Sequence, residues 1–146
     1  LIVLLGIPVM VLAGLDDLFS WSPAFSPTGT ILSLLVVLGG YSLSSWAFIK
    51  NRFFSGMARL QTDRDHQVVS SGPYSLIRHP GYAGGLLTIL ATPVLLGSAW
   101  AYLPTILLVL VMLLRTHLED QFLQAELQGY QDYAKRVRYR LLPGVW

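Results

Sequence analysis

The residues of this chain that are equipped for chemistry gather in one loop and on one later helix. The loop reads His66-Gln67-Val68-Val69, then Ser71-Gly72-Pro73-Tyr74, then Arg78-His79-Pro80-Gly81-Tyr82, and the later group is Arg115 with Glu119 and Asp120. Cysteine is absent, which removes thiol nucleophiles, disulfides, iron-sulfur clusters and zinc ribbons together. His66, His79 and His117 show no metal-ligand spacing, so no metal is expected. A lone histidine can hydrogen-bond its own loop or move a proton near neutral pH, and both readings stand for His66 and His79. On a helix, Arg115, Glu119, Phe122 and Glu126 share one face. An i,i+4 ion pair on a wet surface contributes only about 0.3–0.5 kcal/mol. The same pair where a helix leaves a bilayer is costly unless it faces protein or a water cavity, and that position marks Arg115 and Glu119 as functional.

The elements that must position these groups are apolar. Of the 146 residues, 53% are hydrophobic and 12% are charged, against roughly 25% charged in a soluble domain. Residues 1–49 carry only Asp16 and Asp17, and residues 79–114 carry no Asp, Glu, Lys or Arg. Soluble sandwiches, dinucleotide-binding sheets and coiled coils need a polar face that these runs lack. The expected fold is all-α, a multi-pass integral membrane protein with about four transmembrane helices near 1–15, 31–49, 81–97 and 99–114. One helix through 79–114 would run about 54 Å, beyond a hydrocarbon core of about 30 Å, so a turn is expected around Gly97-Ser98 and Leu103-Pro104. Residues 1–15 lack the basic leader and cleavage site of a signal peptide and read as a span. The chain begins at Leu1 rather than Met, so residues upstream are expected.

All 10 cations lie in two stretches, Lys50 to Arg78 and Arg115 to Arg140, while 16–30 and 97–104 hold none. The excess of Lys and Arg places both stretches, and with them the chemistry-bearing loop, the later helix and the C-terminus, on the cytoplasmic side. The net charge of +2 is too small for a nucleic-acid binder and suits an anionic leaflet. The chain reads as a single membrane domain over 1–146, with N-terminal spans in 1–56 and a catalytic half in 57–146. Pro73 and Pro80 keep the residues before them out of the helical region, and Pro80 opens the third span. Gly81, Gly84 and Gly85 near its start admit either a packed helix or a ligand against the backbone. The tail from Gln131 to Arg140 reads as an interfacial anchor, its tyrosines suited to the headgroup layer.

The order and spacing of these motifs over about residues 57–143, ending in Gly129-Tyr130, Tyr133 and a basic tail, resemble the isoprenylcysteine carboxyl methyltransferase family. The membrane phospholipid methyltransferases share the same general plan. The resemblance implies an integral-membrane enzyme that moves a methyl group from S-adenosylmethionine to a carboxylate. It also implies cofactor contacts from His66, Gln67, Val68 and Val69, from Tyr74, from His79, Pro80, Gly81 and Tyr82, and from Glu119. Arg115, four residues before that Glu, corresponds to the family's substrate-binding arginine. Gln61 is the nearest counterpart of a cofactor-contacting Gln, at a shortened spacing. Glu119-Asp120 stands where Glu-Glu is commoner, which leaves the role of the second acid open.

The chemistry agrees with these assignments. A C-terminal carboxyl, which ordinarily titrates at about 3.3–3.7, is already ionised at neutral pH and needs orientation and desolvation rather than a base. Arg115 can clamp it with a guanidinium fork. The expected partners are the lipid bilayer and a lipophilic or prenylated carboxylate substrate. An amine acceptor, as in methylation of a phospholipid or small lipophilic amine, would first have to lose a proton, with His66 or His79 as the base. A non-catalytic membrane scaffold is the reading from outside enzymology, and it would show a broken motif.

Overall fold

Each apolar run of the sequence is a helix in the computed structural model, which describes residues 2–53 and 67–146. The order is α1 (Ile2–Phe19), α2 (Pro27–Lys50), a 3-10 turn (Gly72–Ser75), α3 (Pro80–Leu95), α4 (Tyr102–Glu126) and α5 (Tyr130–Arg136), with no strand among the described residues. Local chemistry sets the boundaries. Ser26 caps α2 by accepting the Gly29 N–H at 3.1 Å, and Pro27 takes the first helical position, where no N–H is needed. The His79 carbonyl accepts the Ala83 N–H at 3.0 Å to begin α3 at Pro80. Gly97, at φ +72°, lets the chain turn between α3 and α4. Pro104 falls inside the first turn of α4, not in the connection where the sequence places it, because its missing N–H costs nothing there. α1 runs past Leu15 to Phe19 and takes both acids with it.

α2 and α4, at 24 and 25 residues, are long and apolar enough to cross a bilayer, while α3 is a shorter apolar helix of 16 residues. The helices fall into two compact units. The first holds residues 1–41 and 84–113, the second 42–83 and 114–146. The second unit, which carries the candidate site, is thus drawn from two stretches of chain.

In the first unit large apolar side chains point outward and small or polar ones inward. Ile31, Leu35, Leu38, Ile106, Leu107 and Leu110 are exposed, whereas Ser33, Ala91, Ser98, Ala101 and Thr105 are buried. That inversion needs an apolar surrounding. Val9, Ala13 and Ala101 form the core, with Leu96 against them. Ser33 Oγ donates to the Ala91 carbonyl at 3.0 Å. Asp16, 2% exposed, is kept there by donors that include the Ser22 N–H at 2.7 Å and the hydroxyls of Ser22 and Ser98. Hydrogen bonding of this kind is what makes a buried carboxylate tolerable.

In the second unit Leu127, Tyr130 and Tyr133 make a core with Val68, Leu123, Ala134 and Val137 packed on it. Ser44 Oγ donates to the Gly81 carbonyl at 3.0 Å, and a Cβ on Gly81 would lie 2.9 Å from Phe48 Cε1. Gly81 therefore lets α2 approach the start of α3, which is the packing alternative for that glycine.

Candidate active site

The site is built on two consecutive acids of α4 and the first turn of α3. The helical period sends Glu119 and Asp120 about 100° apart, so neighbours in sequence serve different clusters. Glu119 meets Tyr82, whose hydroxyl donates to Glu119 Oε2 at 2.6 Å and accepts from Arg115 Nε at 2.8 Å. The Arg115 guanidinium also lies 5.8 Å from the Tyr82 ring centroid, within cation–π range. Directly, Arg115 and Glu119 are 3.9 Å apart, with side chains 28% and 18% exposed. One phenol thus bridges a cation and an anion, and both of its hydrogen bonds are charge-assisted.

Asp120 is 0% exposed and holds the frame behind that trio. Arg78 grips it with two nitrogens, Nε to Oδ1 at 2.8 Å and Nη2 to Oδ2 at 3.0 Å. Arg140 Nε and Gln124 Nε2 each donate to Oδ2 at 2.8 Å. Tyr130 donates to Oδ1 at 3.0 Å, and His79 Nε2 lies 3.2 Å from the same oxygen. Burial first, then the Asp120 charge, push the Tyr130 phenol well above its ordinary range, so it remains a donor. The His79 ring stacks on Tyr82 at 5.9 Å, which joins the two clusters.

The tail closes this frame. The backbone N–H groups of Arg78 and His79 donate to the carbonyls of Tyr139 and Arg140, both at 2.9 Å. Arg78 Nη1 donates to the carbonyls of Val137 and Arg138 at 2.9 and 3.0 Å, just past the end of α5. Tyr133 Oη donates to the Tyr74 carbonyl at 2.7 Å. The expectation of a tail that serves only as an interfacial anchor is therefore corrected. Tyr130 and Tyr133 are 4% and 1% exposed, out of reach of headgroups. Leu127, Tyr130, Ala134 and Val137 recur at helical spacing, so this stretch has an apolar face to bury.

Most of the expected site residues are placed. Tyr82, Arg115 and Glu119 come together, and His79 packs beside them. Pro80 and Gly81 are buried at the start of α3, and Tyr74 is buried with its hydroxyl accepting from Asn51 Nδ2 at 3.3 Å. Val68 packs on the tyrosine core, Val69 is half-buried and Gln67 is exposed. Gln61 and His66 lie outside the described residues. The sequence places Arg78 and Asp120 in the motifs without giving either a role, and it does not single out Arg140. The one available signal is a second acid directly after Glu119.

A family model described as phospholipid methyltransferase matches residues 28–128, a span that includes the whole Tyr82–Arg115–Glu119 trio. The chain belongs to the phospholipid methyltransferase family. Members and neighbours of differing chemistry resemble it. It is 30% identical over 141 residues to the Delta(14)-sterol reductase TM7SF2 of Mus musculus, covering 88% of this chain and 34% of that protein. It is 31% identical over 105 residues to the protein-S-isoprenylcysteine O-methyltransferase of Schizosaccharomyces pombe, covering 68% of this chain and 43% of that protein. The fold matches the solved eukaryotic intramembrane Ras methyltransferase ICMT, isoprenylcysteine carboxyl methyltransferase, with a TM-score of 0.70 at 19% identity, over 94% of this chain and 53% of that one. The resemblance read from the motifs is thus borne out, and the chain spans about a third to a half of the length of these relatives. For a phospholipid methyltransferase family member, the partly exposed Glu119 carboxylate beside an aromatic ring offers a fitting place for a sulfonium or ammonium group.

Proposed function

We propose that this chain is the cofactor-binding part of an integral-membrane, S-adenosylmethionine-dependent methyltransferase that esterifies a lipophilic or prenylated carboxylate. The observation that carries the reading is the Tyr82 phenol joined to Glu119 at 2.6 Å and to Arg115 at 2.8 Å, an anion and a cation presented side by side. S-adenosylmethionine, when bound, supplies an electrophilic methyl group on a sulfonium. Glu119 would hold its positive or donor groups, with Tyr82 and Tyr74 as aromatic walls and His66 to Val69 and His79 to Gly81 as further contacts. Arg115 would orient the acceptor carboxylate with its guanidinium charge, and the surrounding apolar side chains would strip water from it. The relatives named as isoprenylcysteine O-methyltransferases support an acceptor of this class. Of the two histidines that could serve an amine acceptor as base, His79 is buried with Nε2 turned to Asp120 at 3.2 Å and so is not offered for that role.

The same reading takes α1 to α4 as four spans of one membrane domain, with the pocket and the C-terminus on the cytoplasmic side. Phe19 and Trp21 stack at 5.4 Å, and Trp100 meets Trp21 edge-on at 6.2 Å. All three are exposed, Phe19 at the end of α1 and the tryptophans in connections free of Lys and Arg, as at the far interface of a bilayer. At 1.5 Å per residue α3 is about 24 Å long, shorter than the hydrocarbon core. Its first turn, with Tyr82, would then open below the headgroups, within reach of a lipid-borne substrate.

The test is transfer of labelled methyl from S-adenosylmethionine to a prenylcysteine analogue, run beside a membrane lipid extract. Base-labile label on the prenylcysteine is the expected result, and base-stable label in the lipid fraction would turn the assignment to an amine. The sterol reductase relative, matched over 88% of this chain, favours one second reading, reduction of a sterol double bond. A reductase draws on a hydride donor such as reduced nicotinamide dinucleotide. Titration calorimetry separates the two, with S-adenosylhomocysteine expected to bind and the reduced dinucleotide not.

Tyr82→Phe tests the bridge itself. Without the hydroxyl, Arg115 and Glu119 are free to close their 3.9 Å gap and neutralise each other. S-adenosylhomocysteine affinity is expected to fall about tenfold, the equivalent of one charge-assisted hydrogen bond. Unchanged affinity would show that the phenol is only a spacer.

A further inference from the structure

We propose that Asp120 is the positioning residue of this site, holding residues 137–140 of the basic tail as a strap across the start of α3. The argument begins with numbers of donors. Arg78, Arg140, Gln124 and Tyr130 all give hydrogen bonds to one carboxylate, and His79 is in contact with it. They come from the loop before α3, from α4, from α5 and from the tail. Arg78 spans the same segments through the carbonyls of Ala134, Val137 and Arg138, but its guanidinium is held by Asp120, so removing that charge leaves Arg78 buried at 8% exposure without its counter-ion. A buried pair broken on one side is far more damaging than a pair never made.

The consequence for the site is geometric. Asp120 follows Glu119 on α4, so pinning Asp120 also fixes the rotation of the helix that aims Glu119. His79 stacks on Tyr82, and its backbone N–H is tied to the strap at Arg140. Asp120 acts on the trio through its partners, which fix Tyr82 and Glu119 from both sides. The tail belongs to the site through this carboxylate, and its exposed cations Arg136 and Arg138 remain available to a leaflet.

The experiment uses the full chain in nanodiscs, as wild type, Asp120→Asn, Arg140→Gln and Glu119→Gln. Amide hydrogen exchange at Arg78 and His79 reads the strap, since those N–H groups donate to Tyr139 and Arg140, and it needs no ligand. Calorimetry with S-adenosylhomocysteine reads the site, and this arm alone rests on the methyltransferase reading. Asp120→Asn is expected to speed exchange and raise Kd by about tenfold each. Arg140→Gln, which leaves the Arg78 pair intact, should move both in the same direction by less. Glu119→Gln should raise Kd while exchange stays at the wild-type rate, which separates contact from positioning. Wild-type exchange in Asp120→Asn, or a loosened strap with unchanged Kd, would overturn the proposal. Should Asp120→Asn not fold, wild-type exchange in Arg140→Gln would do the same. If wild type itself bound no S-adenosylhomocysteine, the methyltransferase reading would fall, and exchange would still decide whether Asp120 holds the strap.

Discussion

Glu119→Ala is expected to remove S-adenosylhomocysteine binding from titration calorimetry, while Arg115→Ala keeps the binding and loses turnover of the acceptor. The asymmetry follows from which bond each change leaves behind. Without Arg115, the Tyr82 hydroxyl still donates to Glu119 at 2.6 Å, so the anion keeps its place and its aromatic neighbour. Without Glu119, the carboxylate itself is gone and the phenol has lost its acceptor. A hydrogen bond to a charged group contributes about 1.5–3 kcal/mol, and loss of the charge together with the phenol's orientation amounts to about a hundredfold in Kd or more. In Arg115→Ala the acceptor carboxylate meets no fork, so its KM should rise and labelled ester formation fall, with cofactor Kd within about threefold of wild type. Equal loss of cofactor binding in the two variants would refute the division of roles. It would mean that the trio acts as one cofactor contact.

What can be read from the sequence is local. The apolar runs, the turn at Gly97, the helix start at Pro80 and the continuation of α4 to Glu126 all follow from hydropathy and from residues with restricted backbone. Arg115 and Glu119 are one turn apart, so their shared face is a property of the helix alone. Tyr82 joins them through the motif resemblance, not through any period. The Asp120 frame is out of reach for the opposite reason. Its partners Arg78 and Arg140 lie 42 and 20 residues away, and nothing in a run of basic residues distinguishes a cation that pairs with a buried acid from one that faces lipid headgroups. The tail misleads on that account, although the spacing of Leu127, Tyr130, Ala134 and Val137 carries a burial signal. The glycines of α3 show the same limit. Gly81, Gly84 and Gly85 look alike in sequence, and only the register of α2 tells which of them another backbone approaches.

That register sets the largest expected effect on stability, at Gly40. A Cβ there would lie 2.6 Å from the Gly84 carbonyl oxygen and 2.5 Å from Thr88 Oγ1. The threonine hydroxyl can rotate aside, but a helix carbonyl cannot, so α2 and α3 would have to part within this unit. Ser33 stands one heptad earlier on α2, and its bond to the Ala91 carbonyl at 3.0 Å would lengthen with the separation. Overpacking of this kind costs about 1–3 kcal/mol, and Gly40→Val is expected to lower the thermal unfolding midpoint by about 5 °C or more. The neighbouring glycines supply the controls. A Cβ on Gly39 meets nothing within 4 Å, and one on Gly85 meets only the flexible end of Met112 at 3.5 Å. Gly39→Val and Gly85→Ala should therefore leave the midpoint within about 1–2 °C, since neither forces the helices apart. A similar drop in all three would assign the loss to helix flexibility in general, and Gly40 would then hold no special place in the approach of α2 to α3.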